Sequence, residues 1–403
     1  MFAWNASLSL AFAAVLVAST SASAQISDDI VKIAVLTDMN GPTSAAGGQG
    51  SVTAAQMAID DFGGKVVGRP ISVIVGDHQL KPDVGAIIAK RWYDVEQVDL
   101  IVGAPVAAIG LAVQAVANEK KKLFITQSTG TTDFHGKLCS PYAIQWVYDT
   151  RALAVGAAQE VTKRGGDSWF FLTDDYALGH ALEKDASSAI ARNGGKVTGS
   201  VRVPFASPDT SHFVAKAQAS KAKVIAIAGG PPNNLSEIKA AGELGLSKGD
   251  QQVAALSVLI TDIHALGLPA TQGLLLTTSF YWDMDDKTRE WSKRYFAKMN
   301  RMPTMWQAGV YSAVTNYLNA VQDSGTDDPL KVTAALRERP IEDVFSRNGH
   351  LRADNLMVHD LLLAQVKSPE ESRYPWDYYK VLANIPGSEA FGPPDPACAM
   401  ARK

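Results

Sequence analysis

Residues 30–64 read IVKIAVLTDMNGPTSAAGGQGSVTAAQMAIDDFGG. The apolar run Ile30 to Leu36 suits a strand buried on both faces. A loop rich in Gly, Pro, Ser and Thr follows. Val52, Ala55, Ile59 and Phe62 then recur at helical spacing, and Gly63-Gly64 stops the helix. Strand, loop and helix in this order open a parallel α/β sheet. Ahead of them, Leu8 to Ala18 form an apolar run too short to span a bilayer, and Ala22-Ser23-Ala24 supply the small residues of a signal-peptidase site. Residues 1–24 read as a signal peptide cleaved after Ala24, although no Lys or Arg precedes the apolar run. In an exported protein, the loop after the first strand suits a small solute better than a nucleotide.

The composition fits that setting. The chain has 403 residues, which favours two lobes over one core. Its formal net charge of −3 argues against nucleic acid or an anionic membrane as partner. No cysteine follows the cleavage site to carry a lipid, and no other stretch reads as a membrane span. The expected location is the periplasm, and a monomer is expected. The two cysteines, Cys139 and Cys398, are even in number, as a disulfide in an oxidising compartment requires. Cys398 lies in the tail GPPDPAC, which has little reason to pack unless tied down. We therefore expect the bridge, with two buried thiols as the alternative.

Strands alternate with helices along the first part of the chain. ISVIVG after Pro70, Val98 to Val102 and Leu123 to Thr126 read as strands. One helix between them carries Val84, Ile87, Ile88 and Trp92, another Ile109, Val113 and Val116. A second set starts near Arg151. Its strands are Ser168 to Leu172, Val197 to Val203, Val224 to Ala228 and Val253 to Leu256. Its helices lie near Leu178 to Asn193, Thr210 to Ser220 and Asn234 to Leu244. The fold class is α/β, with two doubly wound parallel-sheet lobes. Such sheets bind ligands beyond the carboxyl ends of their strands. Those ends carry Asp38 to Ser44, Gly103 to Ala107, Thr126 to Thr132, Thr173 to Gly179 and Gly229 to Asn233. After GLLLTTSFYW, helices Lys287 to Met299 and Trp306 to Val321 lack strands of their own. A chain returning to the first lobe would give a hinge of several crossings, near Trp146 to Arg151, Leu275 to Ser279 and Phe345 to His350.

Enzymatic motifs are missing. There is no GxxxxGK[ST] or GxGxxG phosphate cradle, no GxSxG elbow and no HExxH zinc motif. No catalytic residue, metal site or cofactor is expected. Asp174-Asp175, an adjacent acidic pair at a helix start, reads as capping groups.

The opening KIAVLTDMNGP, the block VGAPVAAIGLAVQAVANEKKKLFIT and the helix start TDDYALGHAL resemble the type I periplasmic solute-binding proteins of ABC importers. More narrowly, the chain resembles the branched-chain amino acid (Leu/Ile/Val) binding group. The resemblance implies a three-crossing hinge and a solute clamped between lobes. It also implies a membrane permease with its ATPase as partner. The lobes implied are 25–148 completed by 276–347 and 149–275 completed by 348–380, with 381–403 as a tail. The ligand carboxylate falls to Ala107, Ser128, Thr129 and Gly130. Tyr176 and Tyr281 are expected to cover the body, and Gly230 and Pro231 complete the expected ligand-binding set. Tyr281-Trp282 could equally pack the hinge, and Ser128-Thr129 could merely cap a turn. The amino-group glutamate of the family's Gly-Pro-Glu-Gly stretch aligns with Val258 here. Burying an ammonium without a carboxylate is costly. A small, aromatic organic acid is therefore expected to bind better than leucine, unless Asp262 folds back towards the amine. A ligand sensor on the same fold is the alternative role.

Overall fold

A computed structural model describes Met1 and residues 26–402. The signal peptide read in residues 1–24 lies, Met1 aside, outside the described residues. The first sheet contains β1 (Val31–Thr37), β2 (Lys65–Val66), β3 (Arg69–Asp77), β4 (Leu100–Gly103), β5 (Leu123–Thr126) and β6 (Ala143–Gln145). Its order is β2-β3-β1-β4-β5-β6, so the run quoted above forms an interior strand. Every residue of β1 except Lys32 is buried, because helices cover both faces. Those helices are α1 (Gly48–Phe62), α2 (Pro82–Asp94) and α3 (Ala107–Lys120). Gly63, at φ 93°, ends α1 in the left-handed conformation expected of the Gly-Gly stop.

The second lobe opens with α4 (Thr150–Lys163) and β7 (Ser168–Asp174), then α5 (Ala177–Arg192) and β8 (Lys196–Val203). It continues through α6 (Ser211–Ala219), β9 (Val224–Ala228), α7 (Asn233–Glu243), β10 (Gln252–Ala255), α8 (Ile260–Leu266), α9 (Leu268–Thr271) and β11 (Leu275–Thr278). The chain then leaves. α10 (Asp286–Met299) and α11 (Met305–Ser324) pack on α1, and α12 (Pro329–Glu338) packs on α11. The approach of α1 to α11 is close: a Cβ at Gly50 would stand 2.2 Å from Gln307 Nε2 and from Tyr295 Oη. A short ribbon, β12 (His350–Leu351) and β13 (Met357–Val358), leads back to β14 (Leu361–Val366), β15 (Tyr379–Ile385) and α13 (Gly387–Ala390).

The second sheet runs β15-β14-β11-β10-β9-β7-β8. β14 pairs antiparallel with both β11 and β15, and β2 pairs antiparallel with β3. Both sheets are therefore mixed rather than purely parallel. The alternation of the second set stops at β11, and hairpin-like returns need no helical crossover. GLLLTTSFYW also ends as a strand at Thr278, whose Oγ1 donates to the Phe280 carbonyl at 2.9 Å and turns the chain aside.

Three crossings join the lobes, and they meet at one carbonyl. Val147 O accepts Ser279 Oγ at 3.1 Å and lies 2.8 Å from His359 Nε2. His135 braces the same region, with Nε2 2.9 Å from Asp149 and Nδ1 3.4 Å from Asp354. Cys139 and Cys398 are bonded, with Cα atoms 5.6 Å apart, and tie the C-terminal tail to the first lobe.

Candidate ligand-binding site

The strand ends of the two sheets face each other across the hinge. On the first-lobe side, the turn from β4 into α3 places Gly103 at φ 132° and Ala104 at φ 52°. A Cβ at Gly103 would lie 2.1 Å from the Leu36 carbonyl oxygen, so only glycine fits. The turn delivers Ala107 to the start of α3, whose first turn has no side-chain cap. Its amides and the positive end of the helix dipole are thus left for another acceptor.

After β5, Ser128 and Thr129 are fully buried but point to different partners. The Ser128 hydroxyl adjoins that of Tyr148, and Tyr148 accepts Trp306 Nε1 at 2.9 Å. Thr129 turns inward. Its Oγ1 donates to Thr126 Oγ1 at 3.0 Å, and its carbonyl accepts Gln145 Nε2 at 2.9 Å. Gly130 meets the other lobe, for its Cβ position stands 3.6 Å from Leu178 Cδ1.

On the second-lobe side, Asp174 ends β7 buried. It accepts Asn233 Nδ2 at 2.7 Å and the Gly230 amide at 3.1 Å. Asp174 is therefore no helix cap, contrary to the reading of the acidic pair: a strand-end carboxylate at full burial needs fixed donors, and the loop after β9 supplies them. Asp175 pairs with His180 at 2.9 Å. Tyr176 lies against Gly230, whose Cβ position is 3.1 Å from Tyr176 Oη, and packs edge-on to Phe205 with centroids 5.3 Å apart. Burial, then the neighbouring Asp174, holds the Tyr176 hydroxyl well above its ordinary pKa. Pro231 is exposed beside Gly230.

Val258 is buried, and Asp262 does not turn towards an amine. Its Oδ2 accepts the Leu259 amide at 2.8 Å, capping α8, and burial pushes its carboxyl up to about 6. A different acid is buried nearby, on α7. Glu237 of α7 is buried, and neither of its carboxyl oxygens has a hydrogen-bond partner.

Tyr281 lies in a separate aromatic group. It accepts the Tyr379 amide at 3.3 Å and its ring centroid is 5.0 Å from that of Tyr379. Trp282 donates to the Trp376 carbonyl at 2.8 Å. The structure thus brings Ser128 and Gly130 together, and Tyr176 with Gly230 and Pro231. The side chain of Thr129 turns away from this group, and Tyr281 stands apart from it. Tyr148, Trp306 and Glu237 went unread. Tyr148 lay inside the first crossing named from sequence. Glu237 shares a helical face with Asn233 and Asn234, and that register was the available signal.

Comparisons with known proteins agree with this arrangement. A periplasmic binding protein family profile matches residues 30–372. A periplasmic binding protein of Burkholderia mallei is 47% identical and superposes with a TM-score of 0.85, covering 92% of this chain and 99% of its own. A branched-chain amino acid ABC transporter periplasmic ligand-binding protein of Burkholderia xenovorans LB400 is 38% identical, with a TM-score of 0.88 over 92% of this chain and 100% of its own. Leu/Ile/Val-binding protein homolog 6 of Brucella suis biovar 1 is 26% identical over 68% of this chain and 69% of its own length. No described helix is long and apolar enough to cross a membrane. With its two mixed sheets, triple crossing and facing strand ends, the chain belongs to the type I periplasmic binding proteins, a family that binds solutes and does not convert them.

Proposed function

We propose that the protein is the periplasmic solute-binding component of an ABC importer. It clamps a small carboxylate between its lobes and hands it to a permease and its ATPase. The observation that carries this reading is the uncapped start of α3 beside the Ser128–Gly130 turn, opposite Tyr176 and Gly230. Backbone amides and a hydroxyl hold a carboxylate through charge-assisted hydrogen bonds without a cationic side chain. Tyr176 and Leu178 supply apolar cover from the second lobe. Of the sequence-derived residues, Ala107, Ser128, Gly130, Tyr176 and Gly230 fit this role best.

Calorimetry with a panel of amino acids, aromatic acids, dicarboxylates and the matching primary amides tests the reading. Carboxylates should bind, and each matching amide should bind at least about tenfold more weakly, the loss of one charge-assisted contact. Equal affinity for acid and amide, or release of a converted product, would refute it. Uptake into vesicles that carry the permease and ATPase tests delivery.

A further inference from the structure

Glu237 stands in the second turn of α7, one turn beyond Asn233 and Asn234. Its relative exposure is 0%, and both carboxyl oxygens lack a partner among the described residues. Buried acids ordinarily find donors or a counter-ion, and an unmet one in a native fold needs an explanation. The same helix and a neighbouring one show the same shortage. Asn234 Oδ1, on α7, is buried and unpartnered although its Nδ2 donates to the Ser257 carbonyl at 3.0 Å. Thr261 Oγ1, on α8, is also buried without a partner. The carboxyl and amide oxygens here are acceptors waiting for a donor. Glu237 also acts electrostatically on Tyr176, which ties it to the ligand-facing loop of the second lobe.

We propose that Glu237 is the second lobe's ligand-contacting acid, and that the solute carries a cationic amine beside its carboxylate. The amine would sit between Glu237 and Asn234 Oδ1, while the first lobe holds the carboxylate. The proposal rests on the carboxylate-binding reading above. It moves the amine acceptor from the strand-end position, here Val258, to a helix.

The titration of Glu237 gives the idea a signature. In the empty protein, burial and then Asp174 push its carboxyl up to about 8. The groups facing it are Asp174 from β7 and Tyr176 from the following loop. Of the other elements packed on α7, α6 brings His212 and Lys216, both exposed. α8 brings Asp262, turned to the Leu259 amide, and His264, stacked on Trp376. At neutral pH the empty site therefore holds a protonated acid, and an arriving ammonium displaces that proton. Affinity for an amine-bearing ligand should rise as pH rises from 6 towards 8, and binding at pH 7 should release a proton.

The test compares L-phenylalanine with 3-phenylpropionate and L-leucine with 4-methylpentanoate, by calorimetry in two buffers of different ionisation enthalpy. In the native protein the amine-bearing member of at least one pair should bind about tenfold tighter or more, with proton release. Glu237→Gln should erase that ratio and the proton release, leaving the deaminated acid within about twofold. The ligand-free variant should melt no lower than the native protein, since it loses an unmet carboxyl. Deaminated acids binding as tightly as amino acids would overturn the proposal and spare the carboxylate reading. So would an unchanged ratio in Glu237→Gln. A lower melting point with equal loss of both members would mark Glu237 as merely structural. If no member of either pair binds while another carboxylate of the wider panel does, this inference falls and the carboxylate reading stands; if nothing in that panel binds, both fall.

Discussion

His135 shows how much one side chain can decide. It is buried between Asp149, which caps α4 by accepting the Ala152 amide at 2.6 Å, and Asp354, which is held by Arg352 at 2.6 Å. Burial alone would lower its pKa, but the two carboxylates outweigh burial and raise it from 6.5 to about 9. A histidine whose pKa is raised on folding adds stability that is complete below its unfolded value. That stability is lost as pH climbs through the folded one. The contribution is of order 3 kcal/mol at pH 6. Urea unfolding of the native protein and of His135→Gln should therefore differ most near pH 6 and converge towards pH 9. A gap independent of pH would mean that His135 stays neutral. Glu237 belongs to the same scale. Val258 was visible as a missing carboxylate, but a burial of Glu237 without partners is a property of the folded chain.

At the scale of elements, the tail is the informative piece. Residues beyond β15 have few apolar groups to bury, yet Phe391 is 1% exposed and Arg352 Nη1 donates to the Gly392 carbonyl at 2.6 Å. The bridge from Cys398 to Cys139, 259 residues apart, holds this segment across the first lobe. Chain-entropy arguments give such a link up to roughly 5 kcal/mol, and measured values are often smaller. Cys139→Ser with Cys398→Ser should lower the melting temperature and open the last residues to carboxypeptidase. Ligand affinity should change little, because the bridge touches none of the strand-end loops. An unchanged melting temperature would show that the tail packs unaided. The long helices were legible from their periodicity to within one to three residues: α11 was read as Trp306 to Val321 and runs Met305–Ser324. α4 was missed because its face is mostly alanine, and a small-residue stripe carries weak amphipathic contrast.

At the scale of the whole molecule, function depends on two lobes approaching one another. In this structure they touch where Gly130 faces Leu178. Gly130→Trp would place a large ring at that contact. Affinity for any clamped ligand should fall by about tenfold or more, a penalty typical of overpacking a close contact. The ligand-free melting temperature should stay near that of the native protein, because the lobes can part at the hinge without unfolding. Small-angle scattering should show the variant no more compact with ligand than without it. Compaction equal to that of the native protein would show that this contact does not limit closure.

The chain's local pattern determined most of the architecture. Apolar runs, helical spacing and glycine stops depend on near neighbours, so β1, α1 and the alternation of both lobes could be read directly. The even cysteine count and unsupported tail marked the disulfide in the same way. Tertiary structure decided the rest. β14 runs antiparallel to β11 because the chain re-enters the second sheet from the hinge, which no local pattern records, and β15 then folds back on β14. Tyr281 packs on Tyr379 because the two side chains, distant in sequence, meet only in the folded chain. Glu237 stands unmatched for the same reason: whether a buried charge finds a partner is settled only when all the elements around it have come together.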